Sequence, residues 1–538
     1  GVWPVVLEWG LRLPLALLAL IFPTRRILVL AKSASLLCFF CQLPFVWDHM
    51  WWGSFLEVTF VASFAGGLST GKAFAAFLAA GRRQLVILYF AAVFWKLTSS
   101  FLSYRHSCAT VLIAELVGAI VPADLVPVGG VLTGLLLQLS PALVILVEFA
   151  VPMGLWLSPR IGIVIALLFH ATIAMMPFTY AGGFSVGMCS RVLLCAPGVI
   201  AHGLAASLEV PTLPRLLPRL IVPVAVAAFL AIARMTRGLL DCTACWIGVL
   251  AFCYLQGLLS LWSKGETVLV PSLHRGDVSK ARASLLTVIC CICFIYAFVT
   301  PVLGIQAMGA PTMFACLNQF MGGGGLGNHI LVPTGVLAKV LGAGGGLDNM
   351  VRVEEVHAAV NGSALRLMLP SSDMADLPPH ANNMLAAANV SGYYGIYITR
   401  MGSHGPLQDV DPEAPAERVT FGSYVSVAMP AFELRRGLAA ARERKERFRL
   451  VYTKLPQRLQ TPGEFVRYDP LESKDPFARV EVEEDPYHGV ALCKSGGADC
   501  APDEYAVQTS PIPWLSRLLL PYPVPLHMDD DEEIFCAS

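Results

Sequence analysis

Leu85-Val-Ile-Leu-Tyr-Phe-Ala-Ala-Val-Phe-Trp95 is an unbroken apolar and aromatic run, preceded by Gly81-Arg82-Arg83-Gln84 and closed by Lys96. It reads as the core of a helix buried in protein or lipid. Further apolar stretches begin near Val5, Ile27, Phe55, Cys108, Leu132, Ile161, Phe184, Leu220, Trp246 and Leu285. Most are punctuated by charge or proline, as at Pro23-Thr24-Arg25-Arg26, Ser158-Pro159-Arg160 and Arg234 to Asp241. A helix needs about 20 apolar residues to cross the hydrocarbon core, so residues 1–308 read as roughly ten or eleven transmembrane helices. The Gly66 to Gly71 stretch reads as re-entrant or interfacial.

Composition supports a membrane class. Hydrophobic residues make up 56% of the 538 and charged residues 14%, against about 25% charged in soluble domains. The net charge of zero conceals an asymmetry. Residues 1–308 hold 19 Lys/Arg and 10 Asp/Glu, and the remainder holds 19 and 28. No clustered basic face suits nucleic acid. Twelve of the 15 cysteines, Cys38 to Cys316, lie in or beside apolar stretches, where thiols act as small hydrophobes. Cys242 and Cys245 form a lone C-x-x-C, short of a zinc site, and no metal is expected. Cys493 and Cys500 could close a small disulfide loop or remain two thiols. The chain opens at Gly1, without an initiator Met, which reads as a processed or partial N-terminus.

Charge placement leaves the orientation open. Arg25, Arg26, Arg82 and Arg83 put one set of loops inside, whereas Lys264, Arg275, Lys280 and Arg282 favour the other set on the same helix count. If the loop holding Lys280 is cytoplasmic, the polar C-terminal part faces a lumen or the outside, where the sequons Asn361-Gly-Ser and Asn389-Val-Ser would fit.

Residues 309–347 read as a glycine-rich connector, with Met321 to Gly327 and Gly342 to Gly346 as its barest parts. Residues 348–520 read as an extramembrane α+β domain, and 521–538, ending Asp529-Asp-Asp-Glu-Glu533, as an acidic tail. Expected strands are Ser363 to Leu369, Tyr393 to Thr399, Val419 to Ala428, Phe448 to Thr453 and Ala478 to Glu483. One helix starts at Pro430 and places Leu434, Leu438 and Ala441 on a single face, with Arg442 to Arg447 as a solvated, salt-bridged outer face. The fold class is therefore mainly α, a polytopic helix bundle with a smaller C-terminal α+β domain.

Ionisable groups in hydrocarbon are costly, so Lys96, Glu148 and His170 are site candidates. A lysine in an apolar pocket gives up its proton readily and can act as a base, provided no carboxylate is close. Ser100, four residues beyond Lys96, would share its helix face. Each also has a plain reading: Lys96 snorkelling to an interface, Glu148 locking two helices, His170 satisfying a carbonyl. Gly322-x-Gly324-x-x-Gly327 matches a dinucleotide fingerprint in letters only, since no strand–turn–helix surrounds it; a bare loop over the bundle fits better, with Asn328 and His329 reaching into what it covers.

Tyr89 to Leu97 followed by Phe101 resembles the base-lysine segment of the vitamin K-dependent gamma-carboxylase and of the wider HTTM membrane-domain family. Leu168-Phe-His170 and Phe184-Ser-Val-Gly-Met188 resemble the family's Phe-His and Phe-Ser-Ile-Gly-Met elements, and Met313-Phe314 through Asn318 to Gly327-Asn328-His329 resembles a third. Trp95 stands where the carboxylase has the first of two lysines, and Ile173 where it has an Asn. The resemblance implies Lys96 as base and His170 as oxyanion-positioning group; Ser100, Glu148, Asn328 and His329 are the candidate substrate-binding residues beside them. It also implies a quinol or quinone as the co-substrate. Two functions of different class follow: a multi-pass membrane enzyme acting on a quinol or lipid, or a non-catalytic scaffold or accessory subunit of a larger membrane complex. Membrane lipids are the expected partners, together with other subunits in the second case, in an endomembrane or organellar membrane.

Overall fold

The computed structural model describes residues 6–43, 48–105, 107–121, 128–174, 184–196, 242–263, 279–302, 329–333, 350–359, 371–376, 379–388, 395–400, 416–420, 426–454, 479–500 and 524–526, with single positions between them. The N-terminal part is helical. A wide turn at Glu8–Arg12 leads into α1 (Leu13–Ile21), followed by α2 (Arg25–Gln42), α3 (Asp48–Phe64), α4 (Thr70–Trp95), the short α5 (Ser99–Leu102), α6 (Cys108–Ile120), α7 (Val131–Leu157), α8 (Pro159–Ala174) and α9 (Phe184–Val192). Then come α10 (Cys242–Ser263) and α11 (Lys280–Phe294), the last continuing to Val302.

Much of the sequence punctuation turns out to be capping. Thr24 accepts from the Ile27 amide at 3.5 Å, Ser107 from that of Ala109 at 3.2 Å and Ser279 from that of Arg282 at 3.4 Å. Helices occur at every expected start among the described residues; the expected starts at Val5 and Leu220 lie outside them. Membrane-spanning length is a stricter matter. Three described helices are long and apolar enough to cross: Thr70–Trp95, Val131–Leu157 and Lys280–Val302. Ten or eleven crossings are therefore not what the described helices carry. Apolar sequence runs measure hydrophobicity, not helix continuity. The helix α6 has 13 residues, α8 has 16 and α9 has 9, while α2 carries Arg25, Arg26 and Lys32. Of the Gly66 to Gly71 stretch, Gly66 to Ser69 lies in the turn from α3 into α4, with Gly66 at φ 118°, and Thr70 and Gly71 open α4.

The core of the bundle is built on α4. Leu85, Leu88, Tyr89, Ala91 and Trp95 are buried against Trp52 of α3, Val151 and Leu155 of α7, Ile163 and Ala166 of α8 and Met188 of α9. The helices α7 and α8 meet through glycine: a Cβ on Gly154 would lie 2.6 Å from Gly162 Cα. The outer side of α7 exposes Leu132, Leu135, Leu139, Leu146, Phe149 and Leu157.

The C-terminal part is built on antiparallel strands β1 (Met350–Ala359), β2 (Ser371–Asp376), β3 (Gly395–Arg400), β4 (Ala416–Thr420), β5 (Ser426–Pro430), β6 (Phe448–Lys454), β7 (Arg479–Asp485), β8 (Val490–Ser495), β9 (Ala498–Asp499) and β10 (Val524–Leu526). The main sheet runs β10-β5-β1-β6-β7-β8-β9, with β4 also on β1, and β2 pairs separately with β3. Two helices accompany them, α12 (Pro379–Ala387) and α13 (Ala431–Glu443). Leu434, Leu438 and Ala441 of α13 are buried, packed on Val353, Leu450 and Val480, as the face reading expected. The expected strand Val419 to Ala428 is two strands, β4 and β5. Ser363 to Leu369 falls largely outside the described residues, as do both glycine runs, Asn361, Asn389 and residues 527–538. The central strand β1 was not expected. Its register slips between Val353 and Glu355, which breaks the two-residue alternation that marks a strand.

The two parts touch. Ala381, Met384 and Leu385 of α12 share a core with Phe101 of α5, Ala109 and Ala114 of α6 and Leu137 of α7. A Cβ on Gly118 would lie 3.3 Å from the Ala381 backbone nitrogen.

Candidate functional site

Lys96 follows the last residue of α4, where its amide donates to Val93 O at 3.1 Å. Its Nζ lies 3.0 Å from Glu148 Oε2 of α7, and both side chains are buried. The contact is a charge pair without an aligned hydrogen bond. The base role required an amine clear of carboxylates, and the structure corrects that expectation. An ammonium held by a carboxylate has no lone pair to offer. Glu148 was expected to point inward and accept hydrogen bonds from a neighbouring helix; it does point inward, but its contact with the end of α4 is this ion pair and not a hydrogen bond.

Ser100 is buried, but the shared helix face does not exist. The helix α4 ends, Thr98 turns extended at ψ 150°, and its hydroxyl accepts from the Phe101 amide at 3.0 Å to start α5. Spacing by four meets on one face only while the helix continues. Thr98 Oγ also donates to Ala315 O at 3.0 Å.

His170 of α8 is fully buried, and its Nε2 lies 2.7 Å from the Tyr89 hydroxyl. Among the described residues, its Nδ1 has no hydrogen-bond partner, nor do Trp52 Nε1 and Ser185 Oγ. Trp52, Tyr89, His170 and Phe184 form a closed circuit of edge and tilted ring contacts, 5.5–6.4 Å between centroids. Tyr89 and Lys96 are seven residues apart, about 10 Å along the helix, so Lys96 and His170 are held at separate points. Tyr89 was legible as the one hydroxyl in the apolar run, two turns before Lys96. The ring partners Trp52 and Phe184 carry no such signal.

His329 closes the end of α4. It forms an antiparallel bridge with Thr98, and the Ile330 amide donates to Leu97 O at 2.9 Å. His329 Nδ1 accepts from the Leu331 and Val332 amides at 3.2 and 3.1 Å, which leaves Nε2–H to donate to Phe94 O at 2.9 Å. The imidazole thus adds a second donor to the Phe94 carbonyl, which also accepts from the Leu97 amide at 3.0 Å. Burial pushes its pKa below the ordinary 6.5, against an opposing upward effect of the Phe94 carbonyl. Asn328 lies outside the described residues. Among those described, no group of three or more His, Cys, Asp or Glu side chains could hold a metal.

Residues 327–517 match a family model described as a domain of unknown function, DUF8388. The match begins at Gly327, so it joins His329 and α12, the two contacts on the helices, to the sheet. No curated protein matches the chain. No solved structure matches it.

Proposed function

We propose that this is a multi-pass integral membrane protein whose helix bundle is a non-catalytic scaffold or accessory subunit of a larger membrane complex. The shorter apolar helices complete the crossing alongside the three long ones. Lipid covers the exposed leucines of α7, and the C-terminal domain is fastened to the bundle by His329 and α12. The observation that carries this reading is the buried Lys96–Glu148 pair. A scaffold uses such a pair to fix which helices meet and at what depth, since either charge left alone in a low-dielectric interior is costly.

The test replaces the pair as a unit. Lys96→Met alone strands Glu148, whereas Lys96→Met with Glu148→Leu removes both charges. A scaffold recovers its thermal stability and its copurifying subunits in the double variant. Loss of a quinol-dependent turnover in a stably folded double variant would overturn the reading.

The enzyme reading, a gamma-carboxylase-like protein acting on a quinol or lipid, keeps one supporting observation, the unpartnered Nδ1 of buried His170. It predicts that His170→Ala abolishes quinol-dependent turnover with the fold intact.

A further inference from the structure

Arg25 and Arg282, cations that sequence counting sends to opposite sides, meet at one end of the bundle. Arg25, opening α2, donates Nε to Phe64 O at 2.9 Å and other guanidinium hydrogens to Leu68 O and Gly66 O. Arg282, in the first turn of α11, donates to Ala65 O of the same turn at 2.9 Å. Lys72 and Lys280 stand in the first turns of α4 and α11, and both are exposed, as is Arg26. The sequence around these positions, residues 22–28, 64–72 and 279–283, contains no Asp or Glu.

At the other end of the same two helices, Trp95 Nε1 donates to Ala297 O at 2.8 Å, and Phe94 packs on Phe298 with centroids 5.6 Å apart. Therefore α4 and α11 run parallel, from the cationic end to the end that His329 closes. Among the described residues, the next contact with the helices after His329 lies on the same side. The helix α12 packs on α6 and on the N-terminal half of α7, and α7 runs antiparallel to α4, pairing Glu148 with Lys96 and Phe149 with Phe90. That half of α7 lies on the His329 side. Beyond α12, the sequence up to Cys500 contains no run of about 20 apolar residues.

A second observation is independent of charge. Cys493 and Cys500 are disulfide-bonded across the β8–β9 hairpin. Structural disulfides persist in oxidising compartments and are rare in the reducing cytosol. From these two observations we infer the protein's orientation: the Arg25/Lys72/Lys280/Arg282 end lies at the cytoplasmic leaflet, and the C-terminal domain lies in the lumen or outside. The cations gain from anionic headgroups on that leaflet, and Asn361 and Asn389 fall on the side where N-glycans are added.

This orientation rests on the membrane reading above, and one experiment separates the two. The full chain carrying Lys280→Cys is inserted into sealed microsomes, cytoplasmic face outward, and washed with alkaline carbonate in a parallel sample. A membrane-impermeant maleimide is applied with an impermeant phosphine reductant, and labelling is read peptide by peptide. The orientation requires labelling at position 280 in sealed vesicles, and at Cys493 and Cys500 only after detergent. The reverse pattern overturns it, as does equal labelling of both ends. Release of the chain by carbonate instead overturns the membrane reading itself.

Discussion

The helix bundle and the sheet domain handle charge in opposite ways. In the bundle, Lys96 and Glu148 form a buried pair, each the other's ionic partner. In the sheet, Glu355 is buried but receives both Arg418 at 2.8 Å and Arg449 at 3.2 Å, and Arg449 also reaches Glu481 at 2.7 Å. Arg442 pairs with Glu484, and Arg447 with Asp485. A single pair in a low dielectric sets a geometry and fails as a unit, while a network at a wet surface is redundant. The bundle is therefore vulnerable at one pair, and the sheet only where several charges are removed together.

Breaking the buried pair is expected to have the largest effect. Lys96→Met should cost about 3–5 kcal/mol, because it strands Glu148, while the double variant with Glu148→Leu should lie close to wild type. Thermal unfolding of the purified full chain measures both. Equal losses in the single and double variants would mean that the pair does not act as a unit. Next comes Tyr89→Phe, which leaves both nitrogens of buried His170 without a partner and should cost about 1–3 kcal/mol. If Tyr89→Phe is neutral in the same assay, His170 has found another donor or acceptor.

What was legible in the sequence follows the same division. Lys96, Glu148 and His170 stood out because charge in an apolar run is rare. Their burial was readable, but their pairing was not. Lys96 and Glu148 are 52 positions apart on different helices, and only packing brings them together. Ser100 was misread because a periodicity argument assumes an unbroken helix, and the break at Thr98 depends on its own hydroxyl capping the next turn. In the sheet domain, α13 was legible from a clean apolar face. The central strand β1 was not, since its bulge shifts the alternation by one residue at Glu354. The docking of α12 on α6 and α7 had no local signal, because Ala381, Met384 and Leu385 are ordinary residues until a partner surface exists.

His329 joins the two regions, and its effect should depend on pH. Both ring nitrogens are engaged in the neutral form, and burial holds the folded pKa below 6.5. The sign follows from linkage. Above about pH 6.5 both folded and unfolded states carry a neutral ring, so the stabilisation is complete; as pH falls below 6.5 the unfolded state binds the proton first, and the contribution is lost. Unfolding midpoints of wild type and His329→Phe should differ most near pH 7.5 and converge toward pH 5. Parallel curves over that range would mean that His329 is not the titrating link.

The smallest effects belong to the sheet network, and they sharpen the contrast with Lys96. Arg449→Met removes a partly exposed guanidinium, yet Glu355 keeps Arg418, so the loss should be on the order of 1 kcal/mol or less and shrink with added salt. Arg418→Met should behave the same way, with Arg449 remaining. The double variant is different in kind. It leaves the Glu355 carboxylate, whose side chain is 8% exposed, without either arginine. Its cost should therefore exceed the sum of the two single losses, a coupling that a double-mutant cycle on urea midpoints measures directly. If the two losses simply add, Glu355 is solvated well enough to need neither partner, and the sheet's charges form separate surface pairs instead of a shared network.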